Sequence, residues 1–171
     1  MSTATAIEKA GVVGAGGAGF PTHVKALGQA DTIVANGAEC EPLLRSDGIV
    51  MTTAPDRVLR GVGLMRESLG ASRAVIAIKR ENVEAGDALA SVLARFPGIE
   101  LEFLDDVYPA GDEYLLVYEL TGRVIPEGGI PPDIGVVVNN VTTLANVAGA
   151  VEGRPVTRRL VSVQGAVRKP A

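Results

Sequence analysis

The sequence predicts an α/β protein, a three-layer Rossmann-like arrangement in which a largely parallel sheet carries helices on both faces. Two observations carry that prediction. Short β-branched apolar runs alternate with stretches of helical period, and glycine, proline and asparagine stand where helices must start and stop. The chain's 171 residues, 47% hydrophobic and 21% charged, suffice for one globular domain with a sizeable core and exclude a disordered chain.

Strands are expected over residues 32–35, 74–78, 99–104 and 134–138, with another beginning near Leu160. The clearest helix starts at Pro55, runs through Val58, Leu59, Val62, Met65 and Leu69, and stops at Gly70. A second covers about residues 82–95, with Val83, Leu89, Val92 and Leu93 apolar and Pro97-Gly98 ending it. A third begins near Gly111-Asp112-Glu113, where acids suit the helix macrodipole, and ends at Gly122. Asn140 is a natural N-cap for a fourth over residues 141–151, whose Leu144, Val147 and Val151 share a face. Residues 126–133, rich in proline and glycine, read as an ordered loop. Residues 160–171 start as a strand and end in basic and proline residues. Residues 1–159 are therefore read as one α/β domain and residues 160–171 as the opening of another module.

Composition narrows the function. With 21 glycines, 4% aromatic residues and no tryptophan, the chain suits close approach of backbone to a ligand and not base stacking. A formal charge of −4 offers no basic patch, which excludes nucleic acid as a partner. Cys40 is the only cysteine, so these residues form no intrachain disulfide and cannot supply an iron–sulfur cluster or structural zinc site. No apolar run approaches the roughly 20 residues that span a bilayer, and the N-terminus lacks a charged region followed by an apolar one. The expectation is a cytoplasmic protein without direct membrane insertion.

Residues 14–25 read Gly-Ala-Gly-Gly-Ala-Gly-Phe-Pro-Thr-His-Val-Lys. Gly14, Gly16 and Gly19 satisfy the dinucleotide-binding GxGxxG pattern, and Glu39 lies 20 residues after Gly19, where a ribose ligand belongs. Pro21 opposes that reading, because the usual fingerprint has a helix already running there and donating its N–H. A helix starting at Pro21 or Thr22 fits better. The glycines then form a loop ahead of it that wraps a phosphate, and Lys25 adds a point charge one turn in.

Three further stretches hold polar groups where ligands bind. Asn36-Gly-Ala-Glu-Cys-Glu-Pro42 follows a strand, and in extended backbone Glu39 and Glu41 would share a side as a carboxylate pair or simply be solvated. Tyr108-Pro-Ala-Gly-Asp-Glu113 places two acids at a helix start, as caps or as ligand contacts. Asn139-Asn-Val-Thr-Thr143 has amides that either cap a helix or hydrogen-bond a heteroaromatic ring. His23 has no identifiable serine–aspartate partner, and the thiolate of Cys40 is disfavoured between two glutamates; neither is assigned a chemical role.

These four motifs, in this order over about residues 11–167, resemble the flavin-binding domain of complex I's NADH-oxidising subunit. Ala-Glu-Cys-Glu-Pro and Tyr-Pro-Ala-Gly-Asp-Glu are most similar to two branches of that superfamily, the cobalamin reductase of propanediol utilisation and the C subunit of the Rnf electron-transport complex. A proline-reductase-associated flavoprotein is also similar. The resemblance implies FMN as cofactor, with Gly14, Gly16, Gly17 and Lys25 at its phosphate and ribityl chain. It implies Asn36, Glu39, Gly111, Asp112, Asn139, Asn140 and Thr143 close to the flavin. Phe20, Glu41 and Glu113 match positions that contact NADH, although Ala38 replaces an aspartate and no aromatic residue follows Lys25. Hydride transfer is then carried by the flavin, with no catalytic side chain. Electrons pass to 4Fe-4S clusters in other domains, and onward to a cobalamin protein or ferredoxin.

The resemblance further implies that residues 160–171 open a β-grasp-like module. It places the protein in the cytoplasm, in a microcompartment or on the cytoplasmic face of a membrane complex, and leaves oligomerisation open. The competing class is a nucleotide-binding or assembly module that keeps the fold without flavin.

Overall fold

A computed structural model describes residues 1–168. Four strands, β1 (Thr32–Gly37), β2 (Arg73–Lys79), β3 (Ile99–Leu104) and β4 (Val136–Asn140), form one sheet in the order β3-β2-β1-β4, every neighbouring pair parallel. The helices are α1 (Thr3–Lys9), α2 (Thr22–Ala26), α3 (Ser46–Thr53), α4 (Pro55–Leu69), α5 (Val83–Leu93), α6 (Glu113–Thr121) and α7 (Val141–Val151).

Because successive strand residues point to opposite faces, the sheet divides the interior into two cores. Ile33, Ala35, Ile76 and Val137 face one core, shared with α1, α4, α5 and α7, while Val34, Val136 and Val138 face another, closed by Leu116 and Val117 of α6. Helices therefore cover both faces, as the three-layer expectation requires, but unequally. The thick side depends on a close crossing of α4 and α7, where a Cβ at Gly61 would collide with the carbonyl of Leu144. Val58, Leu59, Val62 and Met65 of α4 are fully buried, each contributing roughly 1.5–3 kcal/mol of transfer free energy before conformational entropy is subtracted.

Local signals set the boundaries. Pro55 opens α4 and Gly70 closes it at φ 67; Asp112 caps α6 and Gly122 ends it at φ 69; Asn140 caps α7. Three expectations change. β4 begins at Val136, since residues 131–134 form a 3-10 turn closed by Gly135 at φ 76. Helices α1, capped by Ser2, and α3, which has no capping side chain at Arg45, are not among the expected helices. No strand occurs at Leu160 among the described residues: Leu160, Val161 and Val163 are exposed with no neighbouring strand to pair with, and residues 169–171 of that stretch lie outside the description.

The strand order places the site. From β1 the chain runs outward through β2 and β3, then returns to the other side of β1 as β4. The crevice at the carboxyl ends of β1 and β4 is thus the topological switch point, where open α/β sheets bind ligands.

Candidate functional site

A cleft of about 680 Å³ opens at that switch point. Its lining includes every residue singled out in the sequence as a cofactor or NADH contact: Gly14, Gly16, Gly17, Phe20, Lys25, Asn36, Glu39, Glu41, Gly111, Asp112, Glu113, Asn139, Asn140 and Thr143. Its volume lies within the usual range for small-molecule and cofactor sites.

The glycine loop is not a strand-to-helix turn. Val13 and Pro21 form an isolated antiparallel bridge, with the Gly14 N–H donating to the Phe20 carbonyl at 2.8 Å and the Thr22 N–H to the Val12 carbonyl at 3.2 Å. No strand precedes the loop, and Pro21 is the N-cap of α2, which excludes the ordinary Rossmann fingerprint geometry. Within the loop the Ala15 N–H donates to Thr143 Oγ1 at 2.8 Å. Among the described residues the N–H groups of Gly16, Gly17, Ala18 and Gly19 have no protein acceptor, leaving a row of donors suited to an anion.

Lys25 reaches from α2 to the end of β4. Its ammonium donates to the Val138 carbonyl at 2.7 Å and stands 5.8 Å from the centre of the Phe20 ring. Burial lowers its pKa, partly offset by the charge of Glu113. Two of its three N–H donors remain for a ligand.

The two asparagines of β4 differ. Asn140 Oδ1 accepts the Thr142 and Thr143 N–H groups at 2.9 and 3.2 Å, and its Nδ2 donates to Asp47 at 2.6 Å, so it is chiefly a brace. Asn139 is 5% exposed, and its Nδ2 has no hydrogen-bond partner among the described residues. A buried orphan donor of that kind costs free energy until a ligand satisfies it.

The glutamates also separate. Glu39 sits at φ 41, which rules out the extended backbone that would align it with Glu41. Its carboxylate accepts the N–H groups of Asp47 and Gly48 at 2.9 and 3.0 Å and the Ser46 hydroxyl at 3.2 Å, capping α3 from a distance. Glu41 is exposed and carries no such bonds, and among the described residues no group of three potential metal ligands forms.

On the far wall Gly111 is clamped. Its N–H donates to Cys40 Sγ at 2.9 Å and its carbonyl accepts from Asn36 Nδ2 at 2.9 Å. A Cβ there would lie 3.0 Å from Cys40 Sγ and 3.2 Å from the Ala38 Cβ, so any larger residue would press on both. Asp112 caps α6 through Tyr114 and Leu115, which accounts for one of its oxygens.

Asp47, Thr142 and Arg159 belong to the site or its support without having been singled out by sequence, and Cys40, assigned no chemical role there, takes a structural one by accepting from the Gly111 N–H. Asp47 and Cys40 line the cleft, and Arg159 donates to the Ala15 carbonyl at 2.9 Å. An acid in the first turn of a helix was the available signal for Asp47. His23 is not among the lining residues.

A doubly covered parallel α/β sheet with a phosphate-type glycine loop and orphan donors at its switch point defines a cofactor-binding domain. The family model described as the Nuo51 FMN-binding domain matches residues 7–149, and the chain belongs to that complex I 51K family. Over 96% of its length it is 48% identical to the cobalamin reductase PduS of Citrobacter freundii and 49% identical to that of Salmonella typhimurium. It is 38% identical to the C subunit of the Na(+)-translocating ferredoxin:NAD(+) oxidoreductase complex of Acetobacterium woodii over 98% of its length. The chain spans only 36% to 40% of those relatives. Among solved structures, an NAD+-reducing [NiFe]-hydrogenase in the air-oxidised state superposes with a TM-score of 0.75 at 29% identity, covering 88% of this chain and 30% of that one. No helix among the described residues is long and apolar enough to cross a membrane.

The residues present fit FMN. The unpaired loop N–H groups and Lys25 suit its phosphate, and the orphaned Asn139 amide awaits an acceptor.

Proposed function

We propose that this chain is the flavin domain of an NADH-dependent electron-transfer protein. Hydride comes from NADH, leaving NAD+, and single electrons leave for iron–sulfur clusters in other domains. The observation that supports this most is the set of donors without a protein acceptor along the cleft, those of Gly16, Gly17, Ala18 and Asn139, beside the half-satisfied Lys25. When bound, FMN supplies the conversion of a two-electron hydride into one-electron transfers.

The chain's own residues bind and orient. Gly14, Gly16, Gly17 and Lys25 take the phosphate and ribityl region, with Thr143 holding the loop in place. Asn139 donates to the flavin or its ribityl chain, while Asn36 and Gly111 form the opposite wall and Asp112 keeps its second oxygen for ligand or water. Glu39 and Asn140 act one layer back, shaping α3 and α7 around the cofactor. Phe20, Glu41 and Glu113 stand exposed at the rim, where NADH approaches. The names of the relatives support a corrin cobalt or ferredoxin as final acceptor. The whole protein works in the cytoplasm, inside a microcompartment or against a membrane complex.

Titration of the purified protein with FMN tests the reading. Flavin fluorescence should be quenched, and FMN at about 100 times its Kd should stabilise by about 2.7 kcal/mol, raising Tm by roughly 5–10 °C. Absence of both effects sinks the flavin assignment, and NADH binding without any flavin response would favour a nucleotide module. Lys25→Ala should weaken FMN about tenfold or more and riboflavin by less than about twofold. Equal losses would move Lys25 away from the phosphate.

A further inference from the structure

We propose that Asp47 is a positioning residue for the glycine loop, orienting through Asn140 and the first turn of α7 the backbone that a phosphate would meet. The inference rests on the FMN reading above for its ligand, but its geometry stands independently.

Asp47 lies in the first turn of α3, on a different segment from every other residue of the loop's support. Its Oδ2 accepts Asn140 Nδ2 at 2.6 Å and its Oδ1 accepts Thr142 Oγ1 at 2.7 Å. With its Nδ2 drawn to Asp47, Asn140 must turn Oδ1 onto the N–H groups of Thr142 and Thr143, which seats the start of α7. That start carries Thr143 Oγ1, the acceptor of the Ala15 N–H at 2.8 Å. From the other side Arg159 Nη2 holds the Ala15 carbonyl at 2.9 Å. Since the Ala15–Gly16 peptide is planar and trans, pinning that carbonyl aims the Gly16 N–H in the opposite direction, away from Arg159. The loop also rests on Asn140 directly, as a Cβ at Gly16 would stand 3.4 Å from the Asn140 Cβ. Asp47 thus fixes the anchor on the N–H side of Ala15, and Arg159 the anchor on its carbonyl side, so that together they set the residue from which the first phosphate-facing peptide leaves.

The charged groups facing Asp47 are Glu39, bound to the same helix end, and Arg159 across the loop. Burial raises the pKa of Asp47, so its ionised form is held there at a cost. What the position requires is two correctly placed acceptors and not a charge as such. Asparagine can meet most of that requirement: its oxygen accepts from Asn140, and its amide donates to the Thr142 hydroxyl, which can reverse its role.

The test compares the wild-type protein with Asp47→Ala, Asp47→Asn and Thr142→Ala. Without ligand, amide hydrogen exchange by NMR should show Ala15 exchanging about tenfold faster in Asp47→Ala, within about threefold of wild type in Asp47→Asn and between the two in Thr142→Ala, with Val137 unchanged as the core reference. In titrations, the preference for FMN over riboflavin should fall about tenfold in Asp47→Ala and return to within about threefold in Asp47→Asn. Unchanged Ala15 exchange in Asp47→Ala overturns the proposal, as does an Asp47→Asn protein as impaired as the alanine variant. If Asp47→Ala does not fold, Thr142→Ala and Asp47→Asn decide by the same two readouts. If wild-type protein fails to bind FMN, the flavin reading falls and the exchange experiment still decides the role of Asp47.

Discussion

Residues 14–20 and residues 38–48 line one cleft, yet the first segment is pinned only at its base while the second is tied along its length. The glycine loop is closed by the Gly14–Phe20 and Thr22–Val12 backbone bonds, at 2.8 and 3.2 Å, and above them its N–H groups stay free apart from Ala15. The acidic segment uses Glu39 to satisfy three donors of its own, at Ser46, Asp47 and Gly48. An anion site needs donors left unsatisfied by the protein, and the exposed N–H groups of the loop meet that need. The acid that resembles a ligand contact is consumed internally, and its neighbour two residues on, Glu41, is the one left at the rim.

The largest effects should come from substitutions that interchange these roles. Glu39→Ala removes the cap of α3 and should cost about 2 kcal/mol, lowering Tm by about 4–8 °C in thermal denaturation. Gly17→Ala, at an exposed tip with φ 121, should cost no more than about 1 kcal/mol of stability while weakening FMN strongly, because the backbone must leave a conformation that alanine disfavours. Equal Tm losses in the two variants would erase the distinction between the loops.

How much of this is legible in the sequence follows from where the signals lie. Pro55 with Gly70, and Asn140 with its run of apolar residues, are local, and they fix the ends of α4 and α7 to the residue. The helix α3 has no capping side chain at Arg45; its cap comes from Glu39, displaced in sequence and placed by a positive φ. Periodicity and local caps contain no trace of such a bond. The residues named from the motifs meet in one cleft, but their division of labour is not written in the motifs. Asn140 is legible as the cap, but nothing in Asn139-Asn140 says that the Asn139 amide is left without a partner or that the Asn140 amide is held by Asp47, 93 residues away. The expected strand at Leu160 shows the converse, since alternation without a neighbouring edge leaves apolar side chains in solvent.

A smaller effect sharpens the comparison from the acidic side. Residues 41–44 form a turn closed by the Leu44 N–H on the Glu41 carbonyl at 3.2 Å, and Leu43 occupies its third position at φ 66, where glycine is favoured. At 67% exposure Leu43 loses little burial on truncation. Leu43→Gly should relieve more strain than the unfolded chain gains in freedom, a net of about 0.5 kcal/mol, visible as a Tm increase of about 1–2 °C. A decrease would mean that the leucine side chain makes contacts worth more than its backbone strain.

The pH dependence should be smaller still, and its sign separates the buried Asp47 from the exposed Asp31. Burial raises the pKa of Asp47 above its ordinary 3.8, against the hydrogen bonds from Thr142 and Asn140. The folded protein therefore takes up this proton before the unfolded chain does. The cost of the ionised carboxylate is full at neutral pH and shrinks as pH falls through the folded pKa towards 3.8. Asp31 has the opposite sign: hydrogen bonds from Arg123 and Thr32 lower its pKa, so its stabilisation is lost only as pH falls below 3.8 through its folded value. Because that loss is common to both proteins, Tm measured from about pH 7 to about pH 4 on wild type and Asp47→Asn isolates Asp47. The variant should be the more stable at neutral pH, with the gap closing on acidification. A gap that stays constant would mean that Asp47 titrates as an ordinary carboxyl, and that the α3 end of the loop's support is wetter than its hydrogen bonds imply.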